Sequence, residues 1–151
     1  MDSKLLHENE GRRVFAVILD TGDEVMAEIR AFARKERISA AQITGIGALS
    51  GAVLRYFDWE TKEYRDIPVR EQVEVASLVG DVALGPDGKP AIHLHIVVGR
   101  SDGSAMAGHV GEAHVRPTLE VIVNEAPDYL QKTHDEESGL ALINAKEPRH
   151  A

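Results

Sequence analysis

Val14 to Leu19 is an unbroken apolar run, Val-Phe-Ala-Val-Ile-Leu, of the length and kind expected for a strand buried on both faces. It ends at Asp20-Thr21-Gly22-Asp23-Glu24, where Thr21 and Glu24 have capping-box spacing. Apolar residues then recur with helical period at Val25, Met26, Ile29, Phe32 and Ala33. Asp23 and Glu24 fall in the first turn of this stretch, and Arg34, Lys35 and Arg37 in the last. Each such charge complements the helix macrodipole by ~0.3–1 kcal/mol. The pattern predicts one helix here and no other.

Beyond it the pattern changes to strands. Gln42 to Phe57 carries Gly45, Gly47 and Gly51, which would weaken a strand unless another backbone or a ligand approaches closely. Asp58 to Lys62 reads as a turn, followed by a short strand from Tyr64 to Val69 and another from Val73 to Leu84. Gly85-Pro86-Asp87-Gly88-Lys89-Pro90 is a turn. Ala91 to Val98, Met106 to Val115 and Leu119 to Glu125 are three further strands. A polar stretch from His134 to Gly139 precedes a brief apolar segment, Leu140 to Ile143. These elements predict an α+β domain, one main helix packed on a largely antiparallel β-sheet. The domain is expected to span residues 12–143, between a flexible N-terminus (1–11) and a flexible C-terminus (144–151).

Composition narrows the function. The 151 residues suit one domain, with 43% apolar and 28% charged residues. No apolar run approaches the ~20 residues needed to span a bilayer. The first residues lack the basic and apolar regions of a signal peptide, so a cytoplasmic location is expected. The absence of cysteine excludes disulfides, thiolate zinc sites and thiol catalysis. With 17 basic and 25 acidic residues the net charge is −8. DNA affinity comes mainly from neutralising phosphates with Lys and Arg, so direct DNA binding by this chain alone is not expected.

The chemistry concentrates in histidines. His93 and His95 lie two apart within Ile92-His93-Leu94-His95-Ile96-Val97-Val98, so on a strand both point to one face. Arg100-Ser101-Asp102-Gly103-Ser104 suits a three-residue hairpin loop closed by a left-handed glycine. With Arg100 opposite Ser104, His95 lies directly opposite His109, with Cβ atoms roughly 4.5–5.5 Å apart. A two-residue Asp102-Gly103 loop would instead shift the register by one and turn His109 away. A lone histidine on a strand is ordinarily a hydrogen-bonded surface or core residue. Three on one face form the pattern of an open zinc site, which nickel, copper or iron could also use. Gly108 and Gly111 flank His109 and would leave space for a metal, a ligand or a neighbouring chain. His114 has the opposite parity and is read as structural, and no role is assigned to His7, His134 or His150.

Three segments resemble the PPC domain, shared by plants and prokaryotes. They are Gly45-Ile46-Gly47-Ala48-Leu49-Ser50-Gly51-Ala52-Val53-Leu54-Arg55, Val73 to Gly80, and His93-Leu94-His95 continuing through Asp102-Gly103 to Ala107-Gly108-His109-Val110. The likeness covers about residues 12 to 143. It implies a compact fold of one helix on a largely antiparallel sheet, assembled as a homotrimer. It also implies that the matching histidines face a pocket near the subunit interface, some prokaryotic members holding zinc there. Plant relatives add AT-hook motifs built on an Arg-Gly-Arg-Pro core, which is missing here. Ala107 departs from the glycine that the family favours.

Three readings follow. The first is a trimer that binds Zn2+ through His93, His95 and His109 and serves as a ligand-binding or regulatory protein, with Gly45, Gly47, Arg55, Gly108 and Gly111 as candidate pocket residues. The second is a metal-dependent enzyme acting on a small anionic or carbonyl substrate. There Arg55 would hold an anion, and Glu112 or Glu74 of a neighbouring subunit would serve as base. The third is a DNA-associated regulator, which the acidic charge and missing hooks oppose.

Overall fold

The computed structural model describes residues 1–145. Strands β1 (Asp2–Asn9) and β2 (Arg12–Asp20) precede helix α1 (Val25–Lys35). Then come β3 (Ala40–Asp58), β4 (Glu63–Val69), β5 (Val73–Leu84), β6 (Pro90–Gly99) and β7 (Ala105–Glu125). A small hairpin, β8 (Lys132–His134) and β9 (Ala141–Ile143), follows. The seven strands β1–β7 form one antiparallel sheet in the order β1-β2-β7-β6-β5-β3-β4, with β7 also paired to β3. The sheet therefore curls round on itself, because β7 bonds to β6, β6 to β5, β5 to β3, and β3 back to β7. The chain is mostly antiparallel sheet with one short helix, so the helix is a smaller part of the architecture than an α+β label suggests. No described helix is long and apolar enough to cross a membrane.

The core lies between α1 and the inner face of the sheet. Phe15, Val17 and Leu19 alternate inward from β2 and meet Val25, Ile29 and Phe32 of the helix. Phe15 and Phe32 meet edge to face with ring centroids 5.2 Å apart. Such a pair contributes about 0.5–1.5 kcal/mol beyond its area burial. Leu94, Ile96 and Val98 of β6 point into the same core. That places the intervening residues of β6 on the outside.

Several expectations need correction. The segment 1–11 is not a flexible terminus: Asp2–Asn9 is a strand paired antiparallel with β2. All eight of its side chains are exposed, so its hydrophobic pattern carried no strand signal. β2 is buried on one face only, with Val14, Ala16 and Ile18 half-buried on the other. The helix is capped by Glu24 itself, whose carboxylate accepts from the backbone N–H of Met26 (3.2 Å) and Ala27 (2.7 Å). Thr21 does not cap it; its hydroxyl donates to the Pro117 carbonyl at 3.1 Å. The two strands expected over 106–125 are one strand, β7, which runs through Arg116 and Pro117. Proline has no N–H to donate and reads as a break, and residues 116–118 do drop out of the β3 register. Of the C-terminal segment 144–151, residues 146–151 lie outside the described residues.

Candidate metal centre

The loop after β6 determines how its histidines meet β7. The Gly103 N–H donates to the Arg100 carbonyl at 2.9 Å, and the Arg100 N–H to the Ser104 carbonyl at 2.8 Å. Gly103 has φ 82°, the left-handed conformation that glycine adopts at no steric cost. Asp102 Oδ1 accepts from the Ser104 N–H (2.9 Å) and hydroxyl (2.6 Å), which fixes the turn. This is the three-residue loop, and it sets His95 directly opposite His109. The alternative two-residue register does not form.

Three rings consequently converge on the outer face. His93 Nε2 lies 3.2 Å from His95 Nε2 and 3.2 Å from His109 Nδ1. One ligand nitrogen from each of the three lies within 4.8 Å of the others. Two ligands of a tetrahedral zinc with bonds of 2.0–2.1 Å are about 3.3–3.4 Å apart. The donor spacing therefore fits a divalent transition metal. Tyr64 of β4 packs edge-on against His109, with centroids 5.1 Å apart, and holds that ring from the side.

The register between β5 and β6 supplies a residue that sequence reasoning missed. Asp81 pairs with His93 across the two strands. Its Oδ2 lies 3.5 Å from His93 Nδ1, a long electrostatic contact rather than a short hydrogen bond. On the other side Lys132 of β8, only 8% exposed, brings its Nζ to 3.2 Å from Asp81 Oδ1. That oxygen is buried and has no aligned hydrogen-bond donor, so the attraction there is an ion pair without hydrogen-bond geometry. Burial pushes the Asp81 carboxyl up, but His93 and Lys132 more than offset it, and its pKa lies below the ordinary value. An ionised carboxylate facing Nδ1 draws the ring proton there and leaves the Nε2 lone pair for a metal. The signal for Asp81 was present in the sequence. Placing Leu84 opposite Pro90 across the Gly85–Lys89 turn sets Asp81 opposite His93 by the counting that found His109. Lys132 left no such trace, because only the chain's return along Leu84 brings it back.

Two of the imidazoles are shifted toward the neutral form. His109 is pushed down to about 4, by burial first and then by His95 and His93. His95 is lowered by burial and by His93, with Asp81 opposing. Neutral rings are the form that ligates metals.

Of the other candidate pocket residues, Arg55 lies opposite His109 across β3 and β7, and Gly108 precedes His109. Neither is in the wall of the cleft beside the histidines. A Cβ at Gly47 would stand 2.3 Å from the Thr118 carbonyl oxygen, and one at Gly45 would stand 3.0 Å from that of Glu120. At Gly108 and Gly111 it would stand 2.8 Å from the carbonyl oxygens of Arg55 and Val53. All four glycines thus permit the close crossing of β3 and β7. Arg55 donates from Nε to Asp66 Oδ1 at 2.9 Å and is half-exposed. Glu112 is engaged by His114 at 2.7 Å, and neither it nor Glu74 lines the cleft beside the histidines. That cleft, about 410 Å³, has His93, His109, Asp81, Lys132 and Tyr64 in its wall.

The fold has relatives. A metal-containing protein from Archaeoglobus fulgidus is 36% identical with a TM-score of 0.80, over 87% of this chain and 92% of that one. A plant- and prokaryote-conserved (PPC) protein from Pyrococcus horikoshii is 30% identical with a TM-score of 0.82, over 97% of each chain. A candidate DNA-binding protein from Bacteroides thetaiotaomicron is 29% identical with a TM-score of 0.84, over 96% of this chain and 99% of that one. No curated protein matches. The pattern of the Plants and Prokaryotes Conserved (PCC) domain matches residues 6–127, and the chain belongs to that family.

Proposed function

We propose that this chain is a metal-binding protein that holds one Zn2+ through His93, His95 and His109 and keeps a further coordination position for a ligand. The observation that carries this reading is the pair of 3.2 Å nitrogen separations centred on His93 Nε2. The Asp81 contact adds to it, since ligating histidines ordinarily direct their second ring nitrogen at a carboxylate or carbonyl. The description of the Archaeoglobus relative as metal-containing agrees. Zinc is the first choice for an all-imidazole set open at one position, although cell availability also selects the metal. When bound, the metal would supply a Lewis-acidic centre that anchors or polarises an oxygen ligand.

The protein works as a homotrimer in the cytoplasm under this proposal. Supporting assembly, Ile46, Val79 and Ile122 stand on one outer face of the sheet, 60%, 46% and 41% exposed, round a shallow apolar depression that also includes Ile18. Apolar surface of this kind is characteristic of an interaction site.

A metal-dependent enzyme is the second reading, favoured by the cleft that opens beside His93 and His109. Direct DNA binding is opposed by the net charge of −8. The decisive experiment is metal content per chain by mass spectrometry, after purification without chelator or nickel resin. About one metal per chain, lost in His95→Ala, supports the proposal; none in either protein after zinc is supplied ends it.

A further inference from the structure

The cleft beside the histidines is lined by groups of two unlike kinds. His93 and His109 are polar, with the Asp81–Lys132 pair in the same wall. Ile92 of β6 and Leu140, Leu142 and Ile143 of the β8–β9 hairpin are apolar. Its volume of about 410 Å³ falls within the range of small-molecule sites.

Charge selects the occupant. Three neutral imidazoles bring no negative charge, so a divalent cation held by them keeps its full charge. Among the described residues Asp81 is the one carboxylate in the cleft wall, and Lys132 already neutralises it at 3.2 Å. A bound cation is then the largest local charge, and nothing in the described lining answers it except an incoming anion. Lys132 is already paired with Asp81, so a second negative charge carried away from the metal would meet no unpaired cation in the described lining. The hairpin side chains would meet whatever extends from that anion, and they offer only hydrocarbon.

We infer that this cleft binds a small monocarboxylate with an apolar tail, its head at the histidines and its tail against Ile92, Leu140, Leu142 and Ile143. The inference rests on the metal reading above. The β8–β9 hairpin, which touches none of the three histidines through its own strand pairing, becomes the element that sets tail length. Each buried methylene tightens binding about fourfold, from its transfer free energy of roughly 0.8 kcal/mol.

The test uses the full chain loaded with Co2+, whose visible absorption reports changes at the metal, and titrates acetate, butyrate and hexanoate, with hexanol as neutral control. Metal content is measured first. The expected result is a spectral change with each carboxylate, tightening two- to fourfold per methylene, and none with hexanol. Leu142→Ser, at a residue 47% exposed, should leave the melting temperature and acetate binding unchanged and flatten the chain-length series. Loaded protein that responds to no carboxylate overturns the inference while the metal reading stands. Equal affinity for acetate and hexanoate, or hexanol binding as tightly as hexanoate, also overturns it. Failure to take up metal at all removes the underlying reading instead.

Discussion

Asp81 and His93 face each other across β5 and β6, with Oδ2 3.5 Å from Nδ1 and Lys132 Nζ 3.2 Å from the other carboxylate oxygen. The Lys132–Asp81–His93 series links the β8–β9 hairpin to the three histidines, and under the proposed metal reading Asp81 is a positioning residue. Asp81→Asn should weaken zinc affinity by about 10–100-fold, measured by competition with a chromophoric chelator. It also leaves Lys132 buried without its anion, at a cost of about 1–3 kcal/mol. Adding Lys132→Met should recover that stability and leave the affinity low. Recovery of both would show that Asp81 acts through folding alone.

Zinc binding should raise the melting temperature. A metal that binds only the folded chain stabilises by about 2.7 kcal/mol at 100 times its dissociation constant. For a chain of this size that corresponds to roughly 5–10 °C. His109→Ala should remove the shift. An unchanged shift in that variant would place the metal elsewhere.

Acidity should act on the metal-free protein through His109. Its pKa in the fold is about 4, against an ordinary 6.5, because burial and then the neighbouring histidines disfavour the charged ring. Between these values the unfolded chain binds a proton that the folded chain refuses. Stability therefore falls as pH falls through that window and is fully present above 6.5. Burial and His93 move His95 in the same direction. Urea midpoints in chelator should drop from pH 7 to pH 4.5, and His109→Gln should drop less. Identical slopes for the two proteins would contradict this account.

Gly80 sets the approach of β6 to β5 behind His93. A Cβ there would stand 2.0 Å from the His93 carbonyl oxygen, whereas at Gly99 the nearest atom is 4.0 Å away. Gly80→Ala should cost about 1–3 kcal/mol or more and reduce metal content, by forcing the strands apart. Gly99→Ala should do neither. Thermal melts and metal analysis of both variants decide it.

Ile46 tests assembly. Ile46→Glu places a charge on the exposed apolar face. Light scattering should show a trimer for the native chain and a monomer for the variant. A native monomer at all concentrations would rule out the assembly.

What was legible in the sequence was local. The period of α1, the alternation of β6 and the Arg100–Ser104 loop are each set within a few residues, and together they placed His93, His95 and His109 on one face. Alternation could not reveal β1, whose side chains are all exposed. Nor could local pattern distinguish a glycine that admits a ligand from one that admits another strand. Gly45, Gly47, Gly108 and Gly111 serve the β3–β7 crossing, which joins residues far apart in the chain. Only the tertiary structure brought Lys132 to Asp81 and the β8–β9 hairpin to the histidines. These contacts arise from the chain's return along Leu84, and no period within either segment encodes them. Backbone periodicity and turn chemistry thus determined the meeting of the three histidines, whereas their electrostatic support and the cleft were decided by packing between distant segments.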